Sequence, residues 1–248
     1  MTSTTDNNNR NPNRPNRPAK PKTSDWAEFG RIVGRLTAVV AFAIFGLLFA
    51  RYTALGQWLA LFAPYGEQTA WFLTRSTALM AYLFLSASTA WGILLSTKII
   101  KEAVPPPVAL EMHNTLSWLA LGFTAVHAFL LLFDTYFTYT IADLLIPFIG
   151  PYEPLWVGLG TISLYLMLFI NLSFYLRKQL GQQLWRLMHY STFLLYIGAT
   201  VHGFMAGSDS GLTGMRLLYL SSGLLILFLT NYRLISRQPR PSRASKTA

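Results

Sequence analysis

The chain has 248 residues, of which 52% are hydrophobic and 12% are charged, with 20 Lys and Arg against 10 Asp and Glu. This composition excludes an ordinary soluble domain, because uncharged apolar runs of about 20 residues are long enough to cross a bilayer. The sequence contains no cysteine, which excludes disulfides, thiolate metal sites and Cys-ligated iron–sulfur clusters.

The chain divides into a long apolar part and two polar ends. Residues 1–29 are rich in Asn, Pro and Arg and too poor in apolar residues to pack, so we interpret them as a disordered basic tail. The polar start is not the pattern of a cleavable signal peptide. Residues 30–235 are predicted to form one helical membrane domain, and residues 236–248 a short basic tail.

Six apolar segments predict an all-α bundle of six transmembrane helices. They span about 32–50, 76–97, 112–133, 155–176, 187–206 and 212–232. Between the spans, the apolar parts of the outer loops 56–67 and 142–154 are too short to cross and are expected to lie in the membrane interface or to cap the bundle.

The positive charge indicates how the bundle is oriented. If the N-terminus is cytoplasmic, the cytoplasmic tails and loops hold 17 of the 20 Lys and Arg residues. This bias places both termini in the cytoplasm of a multi-pass protein of the cell (inner) membrane, in contact with the lipid bilayer. No nucleic-acid partner is expected, because no aromatic residues are interleaved with a basic face.

The four histidines are the most informative residues. His113 and His127 lie on the third predicted span, and His189 and His202 lie on the fifth. The two spans run in the same direction, so His113 and His189 are expected toward the cytoplasm, and His127 and His202 toward the outside. Within each span, the interval of fourteen or thirteen residues corresponds to about 20 Å of helix rise. The depths therefore match across the two spans.

The directions of the side chains match less well. Fourteen steps of about 100° return His127 to within about 40° of the face of His113. Thirteen steps leave His202 about 140° from His189 on an ideal helix. We therefore expect either a local distortion of the fifth span, with Gly198 as a candidate position, or two histidines that lie on different sides of this helix.

Two imidazoles that face each other at one depth can hold a haem iron from both sides, so two pairs predict two b-type haems. The alternatives are satisfied packing histidines, a proton relay, or a bound copper or zinc ion. A proton pathway would need Asp or Glu, and the predicted spans contain none. Ligands about 20 Å apart cannot share one small ion.

Three stretches carry a family resemblance. They are RSTALMAYLFLSASTAWGILLS (75–96), EMHNTLSWLALGFTAVHAFLLLFD (111–134) and LWRLMHYSTFLLYIGATVHGF (184–204). Together with the histidine spacing they resemble the ferric reductase-like transmembrane domain superfamily. Its members include ferric reductases, the NADPH oxidase membrane domain and the haem-binding membrane subunit of the periplasmic methionine sulfoxide reductase system.

The resemblance implies the role of each histidine. His113 and His189 would ligate the cytoplasmic-side haem, and His127 and His202 the outer haem. Electrons would pass to ferric iron or a periplasmic protein outside. The chain ends at Ala248 without the flavin and nicotinamide domain of many relatives. It would thus be an oxidoreductase component that receives electrons from a separate flavoprotein reductase, a quinol, or a flavin supplied by a partner or bound.

The resemblance also directs attention to residues around the haems. Relatives among the oxidases place an aromatic residue six positions after the first histidine of the fifth span, where this sequence has Leu195, flanked by Phe193 and Tyr196. Haem propionates need cationic partners, and Arg75 is favoured because it lies in a family-like stretch. The other candidates are Arg216 and Arg51 outside, and Lys98, Arg177 and Arg186 inside.

Three further functions remain open at this stage. One is the membrane subunit that feeds a periplasmic methionine sulfoxide reductase. Another is a non-redox transporter or structural membrane protein with packing histidines, which predicts a colourless protein. A superoxide-generating oxidase would need a path for oxygen near the outer haem.

Overall fold

The computed structural model describes residues 68–236, apart from the side chains of residues 98, 99 and 101. This part of the chain is all-helical. Its helices are α1 (Thr69–Leu94), α2 (Lys98–Ala103), α3 (Pro106–Leu130) with a 3-10 turn (Leu131–Phe133), α4 (Ile141–Leu145), α5 (Pro154–Leu180), α6 (Gln182–Tyr190), α7 (Thr192–Ala206) and α8 (Thr213–Ile235).

Four of these helices are long and apolar enough to cross a membrane. They are α1, α3 together with its 3-10 turn, α5 and α8. They correspond to the second, third, fourth and sixth predicted spans, which are therefore confirmed as helices of spanning length. The first predicted span, 32–50, the outer loop 56–67 and both predicted tails lie outside the described residues, except for Ser236.

The fifth predicted span differs from the prediction, because it consists of two helices instead of one. Helix α6 ends at Tyr190 and α7 begins at Thr192. At this junction the Ser191 hydroxyl donates to the Met188 carbonyl over 2.5 Å, and the Thr192 hydroxyl donates to the His189 carbonyl over 2.6 Å. Hydroxyls that bond back to helix carbonyls compete with the backbone ladder and bend helices. The distortion therefore lies at Ser191.

Gly198, the position expected to distort this span, instead serves packing. It is buried within the continuous helix α7, and a Cβ there would lie 2.7 Å from the Ser163 hydroxyl oxygen of α5. A separate glycine, Gly181, makes the one-residue turn between α5 and α6 at φ 79°, which favours glycine.

The helices pack around a core that joins all the long elements. Helix α1 makes its most extensive contacts with α3, α5 packs on α7, and α8 packs on α1. At the centre, the Tyr82 hydroxyl lies 2.8 Å from the Ser222 hydroxyl, 3.2 Å from that of Tyr196 and 3.3 Å from that of Thr200. These contacts join α1 to α7 and α8 by shared hydrogen bonds, which lets buried polar groups satisfy one another.

The connection between α3 and α5 closes one end of the bundle. Helix α4 begins with a capping box. The Asp143 backbone N–H donates to the Thr140 hydroxyl, and the Thr140 backbone N–H donates to the Asp143 carboxylate. Further along, the Tyr152 hydroxyl donates to the Ala206 carbonyl at the end of α7 over 3.3 Å. Phe148 packs against Gly158 so closely that a Cβ at that glycine would lie 2.3 Å from the ring. The loop thus contacts both α5 and α7.

Candidate functional site

The four histidines lie together as two pairs. His113 of α3 faces His189 of α6, with ring centroids 6.0 Å apart and an interplanar angle of 75°. His127 of α3 faces His202 of α7, with centroids 6.3 Å apart and an angle of 65°. These are the two pairs that the matching depths predict, and the break at Ser191 lets α6 and α7 each direct one histidine toward α3.

The separation of the rings fits one metal ion between each pair. A ligating imidazole nitrogen lies about 2 Å from a metal and about 1 Å from its own ring centre, so trans imidazoles have centroids about 6 Å apart. Both pairs have this separation. Within residues 68–236 no group of three or more His, Asp or Glu could hold a bare metal ion.

Three of the histidines have their tautomer fixed by a backbone carbonyl. The Nδ1 of His113 lies 3.1 Å from the Ser88 carbonyl oxygen, and the Nδ1 of His127 lies 2.9 Å from that of Thr74. The Nδ1 of His202 lies 2.8 Å from the carbonyl oxygen of Trp156. A carbonyl only accepts hydrogen bonds, so Nδ1 carries the proton and Nε2 of the neutral ring has a free lone pair.

The carbonyls are reachable because a small residue follows each of them by four positions. Gly160 follows Trp156, and a Cβ on it would lie 2.7 Å from Cε1 and Nδ1 of His202. Gly92 follows Ser88, and its Cβ would lie 2.9 Å from Cε1 of His113. The third acceptor, at Thr74, is followed by Ala78.

These two glycines are site residues that sequence reasoning missed. One helical turn separates a residue from the one four positions later, so the side chain at that position lies near its carbonyl. The Cβ of Ala78 is accommodated beside His127, whereas a Cβ at Gly160 or Gly92 would meet the histidine ring at under 3 Å. A small residue at this spacing is the sequence signal, but it becomes readable only once the acceptor carbonyl is known.

His189 is held differently, by an aromatic ring. The indole of Trp185, one turn earlier on α6, stacks on its imidazole with centroids 5.2 Å apart and an angle of 23°. For His189 the described part of the chain supplies no carbonyl partner like those of the other three histidines.

Each histidine pair lines its own cavity. The His127 cavity, defined by His127 and His202, has a volume of about 560 Å³. The His113 cavity, defined by His113 and His189, has about 170 Å³. Ligand sites typically measure about 300–1,000 Å³, so the His127 cavity is of ligand size as it stands. The smaller cavity would have to widen to admit a large cofactor.

Two buried residues form the wall between the cavities. Leu85 of α1 and Met167 of α5 line both of them and are 5% and 4% exposed. Leu195 lines the His113 cavity only. Its neighbours Phe193 and Tyr196 pack in the surrounding core.

Arg75 lines the His127 cavity but already has two partners. Its guanidinium forms an ion pair with Asp209, which also lines the cavity, and stacks 3.9 Å from the ring centre of Trp71. The carboxylate at this position was not anticipated, because Asp209 is 134 residues away in sequence.

The other cations considered for propionates lie elsewhere. The Arg216 Nε donates to the Ser210 carbonyl over 3.1 Å, and the Arg186 Nε donates to that of Gln182 over 3.3 Å. The guanidinium of Arg177 lies 4.3 Å from the ring centre of Phe174. Arg51 and the side chain of Lys98 lie outside the described residues. None of the three described arginines lines either cavity.

The mouth of the His127 cavity carries polar groups from the loop after α3. Burial, followed by the nearby Asp134, Tyr152 and Asp143, raises the pKa of Tyr139 to about 12, so its phenol is protonated at neutral pH. Hydrogen bonds from the hydroxyl and N–H of Thr140 hold the pKa of Asp143 below its usual value. The cavity lining thus includes the neutral phenol of Tyr139 and the ionised carboxylate of Asp143.

The chain matches no protein-family model, no curated protein and no solved structure.

Proposed function

We propose that the protein conducts electrons across the membrane through two b-type haems, each held by one histidine pair. The observation that carries the proposal is the ring separation of 6.0 Å in one pair and 6.3 Å in the other. The two imidazoles of a pair would hold the haem iron, and the porphyrin would supply its other ligands. Such a site needs only two protein ligands.

The residues around the histidines support the same proposal. Carbonyls of Thr74 and Trp156 orient His127 and His202 so that both Nε2 atoms are available. Metal-ligating histidines almost always donate their other N–H in this way, which fixes the ring and raises its basicity. Bound haem would supply the one-electron chemistry, and the apolar lining would exclude water from it.

The two cavities differ in how well their volumes suit a haem. The His127 cavity has the size of a ligand site, while the His113 cavity is smaller. Haem binding in the His113 cavity requires the side chains that line it to move apart. Among residues 68–236, Leu85 and Met167 are the two that line both cavities, so in this proposal they lie on the path between the haems.

The proposal includes the topology. The charge distribution favours a multi-pass protein of the cell (inner) membrane with both termini in the cytoplasm. The count of six spans includes segment 32–50, which lies outside the described residues. In this orientation electrons come from a cytoplasmic flavoprotein or a quinol and leave to ferric iron or a periplasmic protein.

Electron transfer across sealed vesicles tests the proposal. Haem-loaded protein is reconstituted into liposomes that enclose ferricyanide, and dithionite is added outside. We expect the enclosed ferricyanide to be reduced much faster than in empty liposomes, because the haems bridge the apolar layer. The matched control is liposomes that contain the His202→Ala variant. Their enclosed ferricyanide should be reduced as slowly as in empty liposomes. Equal rates in wild-type and empty liposomes, with haem present, would exclude the transmembrane path.

The role of Arg75 is tested by a matched pair of substitutions, Arg75→Gln and Asp209→Asn. Both remove the ion pair, whose side chains are 25% and 27% exposed, and each should lower the stability by about 1 kcal/mol. If Arg75 also binds the acidic edge of the outer haem, only Arg75→Gln should weaken haem retention at the His127 pair. Thermal unfolding in detergent and haem dissociation measure the two effects. Equal haem retention in both variants would remove Arg75 from the haem site.

A further inference from the structure

His189 lacks the carbonyl partner that orients the other three histidines, and the indole of Trp185 stacks on its ring instead. Trp185 and His189 are four residues apart on α6, so their side chains lie on one face of the helix. The two rings are nearly parallel, at 23°, with centroids 5.2 Å apart. The imidazole therefore has the flat indole on one side and His113 on another.

The indole is itself held in place from a second helix. Phe174 of α5 meets Trp185 edge to face at 6.4 Å and 65°. The same Phe174 ring is covered by the guanidinium of Arg177. The indole Nε1 is buried, with no hydrogen-bond partner in the described part of the chain. Packing, and not a hydrogen bond, thus sets the position of Trp185.

We propose that Trp185 is the positioning residue for His189, fixing the plane of its imidazole by stacking in place of a carbonyl. The proposal rests on the haem function proposed above. The two sites then differ in how their histidine rings are oriented. Both rings of the His127 pair are oriented by backbone carbonyls, while the His113 pair has one ring oriented by a carbonyl and one by a side chain. The His113 pair is therefore the one in which truncating a neighbouring side chain would remove an orienting partner of a histidine ring.

The test compares Trp185→Leu with Trp185→Phe and with the control Trp118→Leu. Trp118 is a half-buried tryptophan of α3 that packs on Tyr175, 6.4 Å away, and does not line the His113 cavity. The readouts are haem dissociation, midpoint potentials and the low-spin EPR signals, which depend on the angle between the two imidazole planes. These signals would not move if Trp185 only stabilised the fold.

We expect Trp185→Leu to shift one EPR signal and one midpoint potential and to release one haem about 10- to 100-fold more readily. The second haem should be unchanged, Trp185→Phe should stay near wild type because it keeps a flat ring, and Trp118→Leu should leave both haems unchanged. If the leucine variant does not fold, Trp185→Met retains more of the volume without a ring and should give the same shift.

The outcomes separate this inference from the function on which it rests. Wild-type protein that binds no haem would overturn both. Two haems in the wild type, with both EPR signals unchanged in Trp185→Leu or Trp185→Met, would overturn the role of Trp185 alone. A control Trp118→Leu with the same shift would also overturn it, since any loss of a tryptophan in this half would then suffice.

Discussion

Replacing His202 with alanine is expected to remove one haem and leave the other in place. The haem count should fall from two to one per chain, and the reduced-minus-oxidised absorbance by about half, because each pair supplies both protein ligands of its own site. His113 and His189 share no hydrogen bond with His202, and Leu85 and Met167 separate the cavities. The measurement is haem extraction with protein quantification, beside the optical spectrum.

A matched variant keeps a ligand at the same position. His202→Met places a thioether where the imidazole was, and a His/Met pair raises the potential of a haem iron. We therefore expect this variant to retain the second haem at a higher midpoint potential than the wild type. Loss of both haems in His202→Ala, with the protein still folded, would contradict independent sites. Full retention would show that His202 is not a ligand.

Adding a single methyl group at Gly160 is expected to release the haem of the His127 pair. The new Cβ of Gly160→Ala would lie 2.7 Å from Cε1 and Nδ1 of His202, so the ring must turn away and lose the Trp156 carbonyl. Loss of such an orienting partner typically costs about 10- to 100-fold in metal affinity. Alanine otherwise favours a helix over glycine by about 1 kcal/mol, so a loss of haem here is not a loss of helix propensity.

Two other glycines provide the comparison. Gly223→Ala on α8 meets nothing within 4 Å and should leave both haems bound. Gly92→Ala should release the haem of the other pair, because its Cβ would lie 2.9 Å from Cε1 of His113. Haem dissociation and circular dichroism of the three variants separate ligand geometry from folding. Similar behaviour of all three would exclude the role of glycine at these contacts.

Sequence was sufficient for the features that depend on helix geometry. Apolar runs of spanning length predicted α1, α3, α5 and α8, because such a run has few other stable solutions. The two histidines of the third span are separated by almost the same helix rise as the two of the fifth, and the spans run in the same direction. This predicted that His113 lies beside His189 and His127 beside His202. The mismatch in direction left two alternatives, a distorted helix or histidines on different sides of it, and the break at Ser191 corresponds to the first.

The features that sequence did not predict depend on tertiary contacts. The candidate position for a distortion, Gly198, lies within the continuous helix α7. The break lies at Ser191, where the Ser191 and Thr192 hydroxyls donate back to helix carbonyls. The pairing of Arg75 with Asp209 joins residues 134 positions apart. The role of Gly160 depends on which carbonyl the His202 ring reaches, and no local pattern specifies that contact.

The most direct test of the proposed function is an absorption spectrum of the detergent-purified protein, dithionite-reduced minus oxidised, with haem counted per chain. The account predicts two low-spin b-type haems per chain, because the rings of each histidine pair have the separation at which both would hold one haem iron. A colourless protein, folded and expressed with ample haem, would contradict it and favour packing histidines in a membrane protein without redox chemistry.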